Sequence, residues 1–132
     1  MIGNGQQKET FVEKIEEESM KKKFIFIEET SSVNEYYSAF DYFLLPSLYE
    51  GLPVVAIEAQ ANGVPCLLSN TISMECQTSN NIAFLDNKNI EDWVNKINNM
   101  HRNEKIKLSD KYDIYVQSQI FEEMLSKIVS GL

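Results

Sequence analysis

Two glutamates, Glu50 and Glu58, stand eight residues apart in a stretch whose neighbours make them more than surface charges. It runs Leu44-Leu45-Pro46-Ser47-Leu48-Tyr49-Glu50-Gly51-Leu52-Pro53-Val54-Val55-Ala56-Ile57-Glu58-Ala59-Gln60-Ala61 and reads as a buried strand, a tight polar turn and an apolar helix. Spacing alone says little, because Glu9 and Glu17 repeat it on a solvated helix. Context separates the two pairs. The residues around Glu58 are apolar on nearly all sides, so the helix is expected to be buried. A charge inside such a helix is costly unless paired or hydrogen-bonded. Glu58 is then either a buried ion pair or protonated acid, or a carboxylate facing a cleft and accepting bonds from hydroxyl groups.

Glu50 lies in the turn ahead of that helix. Beside it Gly51 has no Cβ, which lets a ligand approach the backbone. The N–H groups near Gly51, Leu52 and Val54 start a helix and favour an anion such as phosphate. The plainer account has Glu50 complementing the positive helix end, worth about 0.3–1 kcal/mol. In open α/β sheets ligands bind beyond the carboxyl ends of the strands, where a loop feeds a helix N-terminus.

Strands and helices alternate around this stretch. Phe24–Ile27, Tyr42–Leu45, Pro65–Ser69 and Ile82–Leu85 are short apolar runs read as strands. Between them an amphipathic helix spans Gln6–Met20, with Lys21–Lys23 at its negative end. Asn34 caps a helix through Phe40 whose bulky contacts are Tyr36, Tyr37 and Phe40, Pro53 takes the first position of the Glu58 helix, and Gly63 breaks it. Ile90–Met100 follows, then one or two terminal helices over about Asn103–Val129. Apolar rather than alternating strands mean a mainly parallel sheet covered on both faces, a three-layer αβα Rossmann-like domain. One domain of 132 residues is expected, with its core over about 1–100.

Composition excludes several functions. An apolar fraction of 43% rules out disorder, and a net charge of −8 argues against nucleic acid and acidic membrane surfaces. Cys66 and Cys76 lack metal-ligand spacing, Cys66 reading as a buried hydrophobe, and the lone exposed His101 supports neither a triad nor a metal site. No apolar run approaches a membrane span of about 18 residues, and a reduced, cytoplasmic setting is expected.

The order Pro46-Ser47-Leu48-Tyr49-Glu50-Gly51-Leu52-Pro53, then Glu58-Ala59 and Gly63-Val64-Pro65, resembles the E-x7-E signature of family 4 glycosyltransferases of the GT-B fold. Val33-Asn34-Glu35-Tyr36-Tyr37, Asp41 and Ile72–Glu75 resemble its bacterial surface-polysaccharide branch. The resemblance implies a nucleotide-diphosphate-sugar donor, retention of anomeric configuration and no metal or other cofactor. It implies that Glu50, the catalytic candidate, meets hydroxyls of the transferred sugar and Glu58 those of the ribose. Gly51 and Leu52 amides would hold phosphate or sugar, Ser47 and Tyr49 would line the cleft, and Gly3 and Gly5 would belong to a turn after the domain's second strand. Glu28 stands where the family usually has a glycine near the base.

The resemblance covers most of the second of two Rossmann-like domains. The N-terminal acceptor domain, through which any membrane association would come, is expected to be missing. So are the donor domain's first strand and the basic loop that neutralises a diphosphate. Without that central strand the sheet either rearranges or pairs along its exposed edge with a second copy. The expected function is the donor-binding part of a retaining hexosyltransferase, inactive alone. The alternative is a non-catalytic interaction module or truncated relic that needs a partner domain. A flavodoxin-like or response-regulator-like domain fits the layering but has no phosphate-cradling glycine loop or acidic metal cluster.

Overall fold

The computed structural model describes residues 8–17, 20–27 and 30–130. They fall into two compact units, Met1–Val33 and Asn34–Leu132. In the first, α1 (Lys8–Glu17) buries Ile15, and Lys21–Lys23 form a separate 3-10 turn rather than the end of the helix. Phe24–Ile27 was expected to be a strand, but Ile27 alone makes a bridge. Its apolar side chains are used otherwise: Phe24 and Phe26 stack at 6.3 Å and meet the Phe11 ring edge-on at 5.9 and 6.1 Å. A run of four apolar residues becomes a strand only where a neighbouring ladder takes its backbone groups.

The second unit holds a parallel three-stranded sheet, β1 (Phe43–Leu45), β2 (Cys66–Ser69) and β3 (Ile82–Leu85), in the order β1-β2-β3. Phe43 pairs with Cys66, and Cys66 with Ile82. Central β2 is buried at all four residues, the apolar Cys66–Leu68 and the polar Ser69 alike, as befits a strand covered on both faces. Among the described residues β1 is a sheet edge, and Leu44 on it is 47% exposed.

Helix α2 (Val33–Ala39) precedes β1, and Asn34 lies inside its first turn instead of capping it. Helix α3 (Val54–Ala61) joins β1 to β2. Pro53 is its N-cap, one residue earlier than expected; the Pro53 carbonyl accepts from Ala56 N at 3.0 Å. Ala56 and Ala59 are fully buried, and Cys66 Sγ approaches the Ala56 carbonyl at 3.9 Å. Small side chains let the helix backbone close on β2. The helix is not buried throughout, since Val54 and Val55 at its start are 58% and 44% exposed.

The end of α3 is fixed by Gly63, whose φ is +74°. Gly63 N donates to Gln60 O at 2.9 Å and Val64 N to Ala59 O at 3.1 Å, the paired bonds of a Schellman turn. Residues 103–109 were expected to be helical but run non-helically past this turn. Asn103 N donates to Gly63 O and Ile106 N to Ala61 O, so the segment's amides are spent on the preceding helix end. Arg102 donates to Phe40 O, to Tyr37 O at 3.1 Å and to Asn62 O at 3.0 Å, drawing together the C-terminal ends of α2 and α3. Carbonyls at a helix end carry partial negative charge and favour a cation there.

On the sheet, α4 (Ile90–Asn99) packs Trp93 against Leu67 and Leu85, with Tyr42, Ala83, Ile97 and Met100 around them. A 3-10 turn, Asp110–Tyr112, leads to α5 (Ile114–Ser130), the one terminal helix.

Two predictions concern stability. A Cβ at Gly63 would collide with the Asn103 carbonyl oxygen and lie 2.8 Å from Glu104 O, whereas at Gly51 it would meet nothing. Gly63→Ala should therefore cost about 3 kcal/mol in urea unfolding and Gly51→Ala less than about 0.5 kcal/mol. The second concerns pH. Burial, then the neighbouring Cys76, pushes the Cys66 thiol from its ordinary 9.0 up to about 12. Above pH 9 the unfolded thiol ionises while the folded one keeps its proton, so stability present below pH 9 falls as pH rises, by at most about 1.4 kcal/mol per pH unit. Cys66→Ala should flatten the alkaline slope measured between pH 8.5 and 11; an unchanged slope contradicts this.

Candidate functional site

The carboxyl ends of β1, β2 and β3 share one edge of the sheet because the strands are parallel. The loop after β1 carries Glu50, and residues from the other two strand ends hold that loop by its backbone. Thr71 Oγ1, just past β2, donates to Ser47 O at 3.1 Å and is itself 2.8 Å from Ser69 Oγ. Asn87 Nδ2, just past β3, donates to Pro46 O at 3.1 Å. Within the loop Ser47 Oγ donates to Glu50 Oε1 at 2.8 Å. Two predicted residues, Ser47 and Glu50, are thus joined directly, with Ser47 orienting the carboxylate. Leu48 and Tyr49 are 81% and 86% exposed, and Gly51 and Leu52 are exposed as well.

At the helix start no side chain caps α3. The amides of Gly51, Leu52, Val54 and Val55 have no acceptor among the described residues, leaving a set of N–H donors beside Glu50. The open space around Gly51 keeps side chains away from them.

Glu58 sits on α3, half-buried. Of the accounts open in the sequence, the ion pair is not formed among the described residues. Its partner is a neutral phenol: Tyr37 Oη donates to Glu58 Oε2 at 3.0 Å. Tyr37 is only 2% exposed, and its ring meets Phe40 and Phe43 edge-on at 6.1 and 6.2 Å. Burial, then the bond to Glu58 and its charge, then Cys66, hold the Tyr37 phenol well above its ordinary 10.0, so it remains a donor. No hydrogen bond joins Glu50 to Glu58 among the described residues; the loop fixes one and α2 the other.

Sequence reasoning gave Tyr37 a packing role and passed over Thr71, Asn87, Gln60 and Arg102. Gln60 is 1% exposed and fully used. Its Nε2 donates to Ala56 O and Cys76 O, and its Oε1 accepts from Thr78 N, Ser79 N and Ser79 Oγ at 2.9–3.2 Å. The available signal was a glutamine on the buried side of an apolar helix. Gly3, Gly5 and Glu28 lie outside the described residues. An apolar hollow of ≈ 420 Å³ lies between Leu44, Pro46, Leu48, Asn87, Ile90 and Trp93; neither Glu50 nor Glu58 lines it. Among the described residues no group of three His, Cys, Asp or Glu side chains could hold a metal ion, and no helix is long and apolar enough to cross a membrane.

Residues 1–119 match the family model described as glycosyl transferases group 1. A Bacillus subtilis protein named for a glycosyltransferase role, EpsF, is 37% identical over 73 residues, 55% of this chain and 19% of that protein. An Escherichia coli protein named as a UDP-Gal:alpha-D-GlcNAc-diphosphoundecaprenol alpha-1,3-galactosyltransferase is 33% identical over 81 residues, 60% of this chain and 21% of that one. An uncharacterized glycosyltransferase of Haemophilus influenzae is 26% identical over 132 residues, 96% of this chain and 37% of that one. The chain thus spans 19% to 37% of the length of these relatives. No solved structure gives a significant match. With the family matched over most of its length, on an α/β domain that puts Glu50 and Glu58 at and just behind the carboxyl edge of a parallel sheet, the chain belongs to the group 1 glycosyl transferases.

Proposed function

We propose that this domain binds the nucleotide-sugar donor of a retaining glycosyl transfer in cytoplasmic polysaccharide or glycolipid synthesis. The observation that carries the reading is Glu58, a half-buried carboxylate on a helix whose first N–H groups are unspent, and whose partner is a neutral hydroxyl. Bonding to a phenol leaves the carboxylate its charge and its second oxygen, which suits a ligand rich in hydroxyl groups. Glu50 accepts from hydroxyls of the transferred sugar, oriented by Ser47; Glu58 accepts from the ribose; and the amides of Gly51, Leu52, Val54 and Val55 face phosphate. Tyr49 and Leu52 border the cleft. Its other wall comes from an acceptor-binding domain, and the cations that neutralise a diphosphate come from a separate basic loop beyond these residues. The names of the relatives point to sugar transfer as the chemistry, and their greater length agrees with a second domain.

With a net charge of −8, the chain by itself should hold donors weakly, with a dissociation constant above about 10 μM, and transfer no sugar. Amide NMR titration of the 132-residue chain with uridine and guanosine diphosphates tests the site. Shifts are expected at Gly51, Leu52, Val54 and Val55, with Glu58→Gln weakening binding roughly tenfold. Shifts confined to other surfaces, or none at 10 mM ligand (~10 mM being the practical weak limit), reject the proposal.

A further inference from the structure

We propose that Tyr37 is a positioning residue for Glu58 and thereby sets the preference of the site for a ribose over a deoxyribose. This rests on the reading above, in which Glu58 receives the ribose hydroxyls, and assigns the selectivity to a residue on a different helix.

Glutamate has a flexible arm, so a carboxylate at the wall of a cleft samples several rotamers unless something fixes it. Here the fixing group is the Tyr37 hydroxyl, 3.0 Å from Oε2. The tyrosine cannot wander, since its ring is 98% buried and wedged edge-on against Phe40 and Phe43. Its backbone is held too. Arg102 Nη2 bonds Tyr37 O at 3.1 Å and Asn62 O at 3.0 Å, so one guanidinium ties α2, which carries the tyrosine, to the end of α3, which carries the glutamate. Two helices are locked together at one end and share the phenol–carboxylate bond nearer the site.

That bond also decides which acceptor remains. Oε2 is occupied, and Oε1 has no partner among the described residues. The phenol is neutral, so Oε1 retains the strength of an anionic acceptor, which an arginine or lysine in its place would reduce. A preset anionic acceptor discriminates against a ligand that lacks the hydroxyl, because the carboxylate is then left without its partner at a half-buried position. A mobile carboxylate could swing into solvent and discriminate less. Tyr37 touches no ligand in this scheme; it acts through Glu58.

The test is a ligand and variant cycle on the 132-residue chain, read by NMR titration with uridine and guanosine diphosphates and their 2′,3′-dideoxy counterparts. Tyr37→Phe keeps the ring and removes only the hydroxyl. It should weaken the ribose ligand roughly tenfold and the dideoxy ligand less than about twofold, and add nothing further in a Glu58→Gln background. Equal weakening of both ligands would mark a purely structural role and overturn the proposal, as would an unchanged ribose preference. If the parent chain binds both ligands equally, the ribose role of Glu58 falls, and this inference with it. If the parent prefers ribose and Tyr37→Phe does too, this inference alone falls. Should Tyr37→Phe not fold, 3,5-difluorotyrosine placed at 37 keeps ring and hydroxyl. Its more acidic phenol should make the ribose preference decline with rising pH while the parent stays constant; parallel pH profiles would overturn the proposal.

Discussion

The close seating of α3 on β2 governs everything else in the larger unit. Ala56 and Ala59 have no accessible surface, and nothing bulkier than a methyl group separates the helix backbone from the strand at those points. Once the helix lies that close, its two ends are placed. Its start must emerge at the carboxyl end of β1, where the loop delivers Glu50, and its finish must reverse sharply to enter β2. Gly63 supplies that reversal with a left-handed conformation, and the non-helical segment at 103–106 then lies so near that no Cβ fits. The same tight packing that builds the core therefore sets the position of the loop bearing the candidate chemistry.

Buried polar groups finish the positioning that apolar packing begins. Gln60 emerges from the buried side of α3 and is satisfied by Ala56, Cys76, Thr78 and Ser79, which shapes the connection between β2 and β3. That connection begins with Ser69 and Thr71, and Thr71 returns to hold the Glu50 loop. Each bond is modest, but in a low-dielectric interior an unmade one costs more than a made one gains, so such networks select one arrangement of loops. Among the described residues the Oγ1 of Thr78, in that connection, and the Oδ1 of Asn87, in the turn after β3, are buried without a partner. Arg102 does comparable work from the opposite end, collecting three carbonyls from the ends of α2 and α3 and their flanks.

How much of this could be read in the sequence depended on how local each cause was. Gly63 after an apolar helix, the apolar runs of β1, β2 and β3, and the contrast between Glu58 and the Glu9/Glu17 pair are local, and they placed the sheet, the helix end and the two glutamates. Where a distant partner decides, the reading missed. Phe24–Ile27 has strand composition, yet its rings are taken by Phe11. Residues 103–109 have helical periodicity, but Asn103 and Ile106 give their amides to the end of α3. The all-apolar start of α3 promised burial, though Val54 and Val55 are exposed because the sheet covers only the later turns. Tyr37 read as packing because its ring does pack; its bond to a residue 21 positions away is invisible until α2 and α3 are side by side.

The electrostatics of the site carry a last consequence. Both glutamates are met by neutral hydroxyls, Ser47 at one and Tyr37 at the other, so neither charge is cancelled where it sits. The helix start offsets only part of one charge, about half an elementary charge spread over its free N–H groups. A site built this way attracts hydroxyl donors and resists anions, yet a nucleotide sugar is both at once. On the proposed reading the carboxylates serve sugar and ribose, while the diphosphate gains only backbone amides from this loop and helix. Binding by the domain should therefore be dominated by hydroxyl recognition, with strong phosphate binding dependent on cations brought from outside the loop and helix start. Separating the two jobs has a physical advantage. In the proposed arrangement the carboxylates keep full acceptor strength for discriminating among sugars, and the basic loop that supplies the cations determines when the donor is held tightly enough to react.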